Sequence, residues 1–381
     1  MRVEDTADPA GLDPKEWDRL VTAAGAGFYL SHAWLSALHG VDGFAERNLM
    51  VRNGAGDLVA GLNLYTIERA TNPLYDPHQV LAPDTDPAAW EPQLVVGARS
   101  GYSNGVLATT DEGYAAVAEL ATREVAASDC ASAAMMYLGT EDARRMAALI
   151  PGTVPVLSGF RSELPITFDS FDGYLAGLVR KRRKNVRRDL KRFADSGCRI
   201  ETTALEPYVD QLAPLLGNVQ RHHGVDIPDE LHAGYLRGCA SGELADRAVV
   251  FQCFQEERRI GFCLAYAHHG RLTIRVVGMD YERTTASGAH FSLLCYAPIQ
   301  YAVTHDVSTI DFGTEGYRTK LLRGAELVPL WSLPVRAPGD WTRERAIQRT
   351  RQLADELSEG VGDLVDLDRL TVDQLTDTDV N

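Results

Sequence analysis

Cysteine is sparse and never closely paired. Six residues, Cys130, Cys198, Cys239, Cys253, Cys263 and Cys295, are scattered over 381 positions with no C-x-x-C. That distribution speaks against a zinc site or a disulfide framework. It leaves reduced, mostly buried thiols, so a cytoplasmic location is expected. No apolar run approaches the roughly 18 residues that a membrane-crossing helix needs. The opening "MRVEDTADPAGLDPKEW" lacks the apolar core of a secretory signal. Positive charge is also scarce: 38 Lys and Arg against 53 Asp and Glu give a formal charge of −15. A surface that coats DNA is normally basic, so no DNA partner is expected. The elbow G-x-S-x-G, a Walker A loop and a strand-anchored G-x-G-x-x-G are missing as well, which leaves no serine-hydrolase, P-loop or dinucleotide signature.

Against that acidic background stands "LVRKRRKNVRRDLKRFADSG", Leu178 to Gly197. Nine of the thirteen residues from Arg180 to Arg192 are basic. Val179, Val186, Leu190 and Phe193 recur at helical spacing, so the segment reads as an integral helix with one apolar stripe. Arg182 and Arg183 lie four and three residues before Val186, which turns at least one of them toward the protein. A guanidinium there can grip a phosphate or carboxylate through two oxygens at once. The alternatives are a solvated basic face, with one arginine paired internally, and a targeting segment.

The rest of the chain alternates α and β signals. "DPKEWDRLVTAAG" starts a helix with Asp13 as cap and Pro14 in the first turn. "NLMVRNGAGDLVAGLNLYTI" reads as strand, turn, strand. "DEGYAAVAELATREVAASDC" is helical and "SAAMMYLG" a short buried strand. In the second half "SFDGYLAGLVRKRRKNVRRDLKRFADSG" and "EPYVDQLAPLLGNVQRHH" are helices. The stretch from Arg247 to Arg283 holds three antiparallel strands. A helix bent at Pro298 follows, then the strand "VSTIDFG". The hairpins of the two halves resemble each other, which suggests a duplicated domain. Expected boundaries are 1–160, 161–338, and 339–381 for a charged helix with an acidic tail.

Two further stretches carry chemistry. In "YERTTASGAHFSLL" a strand end, a polar loop and a helix start near Ser287 and Gly288 make a candidate anion site, with Gly288 allowing close backbone approach. An ordinary N-cap by Thr285 or Ser287 is the alternative. In "TIDFGTEGYRTKLLRGAE" a buried strand delivers Asp311 to a loop turned by Gly313 and Gly316, followed by Tyr317 and Lys320. Polar groups at a strand's carboxyl end on a glycine-rich loop are typical of sites. Lys320 can hold charge developing on an oxyanion, and Asp311 can orient an amine or Lys320. The alternative is a turn with an Asp–Lys surface pair. The pairs His222–His223 and His268–His269 lack a well-spaced third ligand, so no metal is expected.

The basic helix together with "IDFGTEGYRTKLLRGAE" resembles the Fem-like branch of the GNAT acyltransferase superfamily, over roughly Pro165 to Leu330. The first half looks like a degenerate copy of the same fold. The resemblance implies a mixed α/β (α+β) architecture of two tandem GNAT-type domains, each with a mostly antiparallel sheet flanked by helices. It implies N-acyl transfer, with Arg182, Arg183 and Arg187 on an anionic part of a substrate. Lys320 would lie near the transferred acyl group, and Asp311 and Tyr317 of the same stretch are the other catalytic candidates. The phosphate loop of the superfamily would fall on Arg283 to Ala289, here with Ala286 in place of its first glycine. That departure favours aminoacyl-tRNA over acyl-CoA as co-substrate, with no tightly bound cofactor. The acceptor would be the amine of a small molecule or of a peptidoglycan precursor. A binding protein that keeps the fold without catalysis is the remaining reading.

Overall fold

Among the described residues, thirteen strands organise the fold. They are β1 (Arg2–Thr6), β2 (Ala45–Arg52), β3 (Leu58–Ile67), β4 (Gln93–Val96), β5 (Leu107–Ala108), β6 (Ser132–Leu138), β7 (Val156–Pro165), β8 (Cys198–Thr203), β9 (Ala248–Gln255), β10 (Arg258–His268), β11 (Arg271–Met279), β12 (Thr309–Asp311) and β13 (Glu326–Arg336). The computed structural model describes residues 1–40, 44–70, 72–339 and 341–365. Of the expected acidic tail, residues 366–381 lie outside the described residues.

The chain divides into two units, Met1–Arg161 with Val328–Asn381, and Ser162–Leu327. Residues 328–338, expected in the second domain, thus belong to the first. The reason is pairing: β13 runs antiparallel to β6, with Trp331 opposite Leu138 and Leu333 opposite Met135. The helix Arg343–Val361 joins them, burying Ala346 and Thr350, and the Thr350 hydroxyl accepts from the Leu157 amide.

In the first unit the strand order is β1-β2-β3-β4-β6-β13, with β5 on β3. Asn53 makes the turn between β2 and β3, its side-chain oxygen accepting from the amides of Ala55 and Asp57. That is an Asx turn, which mimics a backbone turn and fixes the hairpin register. The helix Pro14–Ala23 begins as expected, with Asp13 Oδ1 accepting from the Glu16 amide at 2.8 Å. The helix Asp111–Ala127 carries the chain back so that β6 lies parallel to β4.

The second unit has the order β7-β12-β11-β10-β9-β8. Here too an antiparallel hairpin and a third strand are followed by helices, and β12 then lies parallel to β11. The core is apolar and continuous: Phe251, Ile260, Cys263, Leu272, Leu293, Ile299 and Ile310 are all essentially sealed from solvent.

Two helical expectations change. The segment from Ser170 to Gly197 is two helices, Phe171–Gly177 and Arg180–Asp195, because Leu178 and Val179 are extended between them. The break lets Leu178 bury while Val179 stays 62% exposed, so the stripe holds Val186, Leu190 and Phe193 without Val179. The segment expected to bend at Pro298 is interrupted before it. Helices Tyr281–Ser287 and Ala289–Phe291 lead into a π-helical turn, Ser292–Tyr296, and then the helix Ala297–Thr304. Pro298 has no N–H to continue the α ladder, and a π turn is a common way to absorb such a defect.

Candidate active site

The site is built at the carboxyl end of β12, in the second unit. Asp311 pairs across the sheet with Glu163 and Thr273 and is 2% exposed. Its Oδ1 accepts from the Gly313 amide at 2.8 Å, closing a tight turn. Gly313 adopts φ +74°, a left-handed conformation that costs a side-chain-bearing residue. Gly316, also left-handed, then starts the short helix Tyr317–Leu321. Tyr317 is half-buried on its first turn and Lys320 points inward, 5% exposed.

Lys320 folds back over the turn that carries it. Its Nζ donates to the Gly313 carbonyl at 3.2 Å and the Thr314 carbonyl at 2.9 Å. Burial pulls its pKa down to about 8, against the opposing pull of the Asp311 carboxylate. An ammonium has three N–H bonds, and these carbonyls take two of them. A lysine poised near neutrality can both stabilise an oxyanion and exchange a proton.

One turn further on stands Arg323, which no sequence motif singled out. It is 8% exposed. Its Nη2 donates to Asp189 Oδ2 at 2.8 Å, its Nε to the Tyr296 hydroxyl at 3.1 Å and its Nη1 to the Thr319 carbonyl at 2.9 Å. Tyr296 in turn donates to Asp189 Oδ2 at 2.9 Å. The guanidinium carbon also sits 3.5 Å from the centre of the Phe291 ring, a cation–π contact. Asp189 is the one acid within the dense basic run, and it is turned into the protein. The ion pair therefore ties the basic helix to the turn that carries Lys320. A signal existed: Asp189 lies three residues after Val186 and beside Leu190, on the apolar side.

The basic helix presents the rest of its charge outward. Arg180, Lys181, Lys184, Arg187 and Arg188 are exposed, and Arg182 and Arg183 are half-buried. Arg183 donates to the Ala176 carbonyl at 3.3 Å and Lys191 pairs with Asp195 at 2.8 Å. Among the described residues, no carboxylate lies within ion-pair distance of Arg180, Lys181, Arg182, Lys184, Arg187 or Arg188. Six cations within nine residues are thus without an ion-pair partner, five of them exposed, a field that raises the local concentration of anions.

Arg283, Ser287 and Gly288 do not form the expected loop and helix start. Asp280 caps a helix directly after β11, accepting from the Arg283 amide at 3.3 Å and pairing with the Arg283 guanidinium at 3.0 Å. The Ser287 hydroxyl donates to the Arg283 carbonyl at 2.8 Å and is 2% exposed. Gly288 ends that helix at φ +76°, and a Cβ placed there would stand 3.5 Å from the side chain of Arg192 and the carbonyl of Asp189. Gly288 thus lies against the basic helix. Of the histidine pairs, His222 stacks on Tyr281 with ring centres 4.3 Å apart, while His268 bonds to Arg247 and meets His269 edge-on at 4.2 Å.

The FemAB-like family model, described as peptidoglycan biosynthesis/recognition, matches residues 9–350. The chain belongs to the FemAB-like family. Its membership makes it an acyltransferase-type enzyme, as the paired motifs implied. The crystal structure of FemX is 13% identical and superimposes with a TM-score of 0.63 over 93% of this chain and 99% of that one. A conserved protein of unknown function from Bacteroides thetaiotaomicron is 12% identical, with a TM-score of 0.55 over 87% and 99%. The C-terminal domain of a putative lysylphosphatidylglycerol synthetase from Agrobacterium fabrum is 9% identical, with a TM-score of 0.53 over 90% and 96%. At such identities the likeness is one of fold. No curated protein matches the chain. No helix among the described residues is long and apolar enough to cross a membrane.

Proposed function

We propose that this FemAB-like protein moves an aminoacyl group from aminoacyl-tRNA to the amine of a small molecule or peptidoglycan precursor. The amine attacks the ester directly, with no covalent enzyme intermediate and no tightly bound cofactor. The observation that carries this reading is the ion pair that fixes an unneutralised basic helix to the turn holding a buried, weakly basic lysine. The helix recruits a polyanion, and Lys320 donates its third N–H to the oxyanion as it forms.

Two local features support the details. Cys295 is sealed from solvent and its thiol is pushed up to about 11 by burial, so it stays protonated and is no nucleophile. Arg283 and Ser287 are engaged within their own helix, and Gly288 is packed against the basic helix. That arrangement favours a tRNA donor over acyl-CoA. The free thiols fit the cytoplasm, where charged tRNA is present.

The test is product formation by purified protein from an amine acceptor, with charged tRNA or with acyl-CoA as donor. Turnover that needs charged tRNA and weakens steeply with salt is expected. Turnover on acetyl-CoA alone would replace the donor. Product formation that survives both Lys320→Ala and Asp311→Asn would remove the catalytic assignment.

A further inference from the structure

We propose that His290 is the general base that takes the proton from the attacking amine, an inference that rests on the acyl-transfer reading above. His290 lies on the three-residue helix Ala289–Phe291, between left-handed Gly288 and the π-helical turn Ser292–Tyr296. π turns inside helices frequently mark functional positions.

The carrying observation is the tautomer. His290 Nδ1 lies 3.1 Å from the Met279 sulfur. A thioether has no hydrogen to give and can only accept. Nδ1 therefore carries the ring hydrogen, and in the neutral imidazole Nε2 carries the lone pair. Met279 is completely buried at the end of β11, which fixes the ring from the inside. Nε2 has no hydrogen-bond partner among the described residues, and it is not among the sealed polar atoms left without one. The residue as a whole is half-buried.

The surroundings keep that nitrogen free of a proton. Burial lowers the pKa of His290 first, and Arg323 lowers it further. His290 and Phe291 meet edge-on at 5.0 Å, and Arg323 lies over Phe291. On the adjoining helix Asp280 and Arg283 neutralise each other, and Glu282 is exposed. Arg323 follows Lys320 by three residues, its amide bonded to the Lys320 carbonyl at 3.0 Å. Lys320 and His290 thus both neighbour Arg323, the first along the helix backbone and the second through the Phe291 ring.

The step balances. The amine lone pair forms a C–N bond to the ester carbonyl carbon, and the π pair moves to the oxygen beside Lys320. The amine proton passes to Nε2, giving imidazolium. Collapse of the oxyanion breaks the bond to the departing ribose oxygen. That oxygen takes the proton from Nε2, and the neutral ring returns.

Three measurements decide. Nitrogen NMR of 15N-histidine-labelled protein at pH 7.5 should show His290 neutral with the hydrogen on Nδ1. A ring carrying it on Nε2, or an imidazolium, overturns the proposal. Met279→Leu, which keeps the volume and removes the acceptor, should mix the tautomers and lower kcat several-fold. Wild-type kcat should fall on the acid side with an apparent pKa below that of an ordinary histidine. His290→Gln should lose that limb and fall by about 100-fold or more in kcat, with KM nearly unchanged. An unchanged acid limb in His290→Gln sinks this role while leaving acyl transfer standing. A wild type that transfers nothing from charged tRNA or acyl-CoA sinks the acyl-transfer reading and this role with it.

Discussion

Arg323 and Asp189, 134 residues apart, meet in a nearly buried ion pair at 2.8 Å, with side chains 9% and 14% exposed. Breaking such a pair strands a charge, which typically costs about 3–5 kcal/mol. Asp189→Ala should therefore lower the denaturant midpoint markedly. Asp189→Leu combined with Arg323→Met should recover most of the loss, because both charges then leave together. A double variant no more stable than the single one would mean the charges are not energetically paired.

Lys320 makes stability depend on pH in a stated direction. Its folded pKa, about 8, lies below that of a free lysine. Between the two values the unfolded chain holds more protons, so raising the pH stabilises the fold. Wild type should gain on Lys320→Met as pH rises from about 8 toward the ordinary lysine value near 10.4. Urea midpoints of both proteins at pH 7 and pH 10 test this. A constant difference contradicts the buried, weakened amine. Lys320→Met should also lose most activity at every pH.

The cations at the start of the basic helix should act on binding far more than on folding. Neutralising Arg182, Arg183 and Arg187 together should raise KM for the polyanionic substrate at least tenfold and leave the denaturation midpoint nearly in place. The slope of log binding constant against log salt should flatten by roughly 0.7–0.9 for each phosphate deprived of its cation. An unchanged KM returns the helix to a solvated face.

Gly288 supports that helix through its conformation. An alanine Cβ would fit at ordinary van der Waals distance, so the cost of Gly288→Ala comes from φ +76° alone, about 1–2 kcal/mol. Differential stability measurements should show that loss. A neutral effect would mean the turn relaxes freely.

Much of this was legible in the sequence because the signals were local. The basic helix showed its stripe at Val186, Leu190 and Phe193. Asp311, Gly313 and Lys320 showed a strand end, a turn and a cation in fixed order. What escaped depended on partners distant in sequence. Asp189 was not singled out, because its partner Arg323 comes from the other end of the unit. Residues 281–287 read as a loop because Thr, Ser and Gly favour turns, yet the Asp280 cap and burial of Thr284 decide for helix. The membership of β13 was hidden because the sequence of a strand does not name its neighbours.

The π-helical turn at Ser292–Tyr296 sets more than a bend. Such a turn is in effect one residue more than an α-helix would hold over the same length. Deleting one residue there would restore an even ladder and swing the preceding segment by about 100° around the axis. His290 and Phe291 would then face another quarter of the molecule, while Pro298 and Ile299 stayed against the sheet. The orientation of the candidate base toward Arg323 thus hangs on a single inserted position, and a one-residue deletion could silence the enzyme without unfolding it.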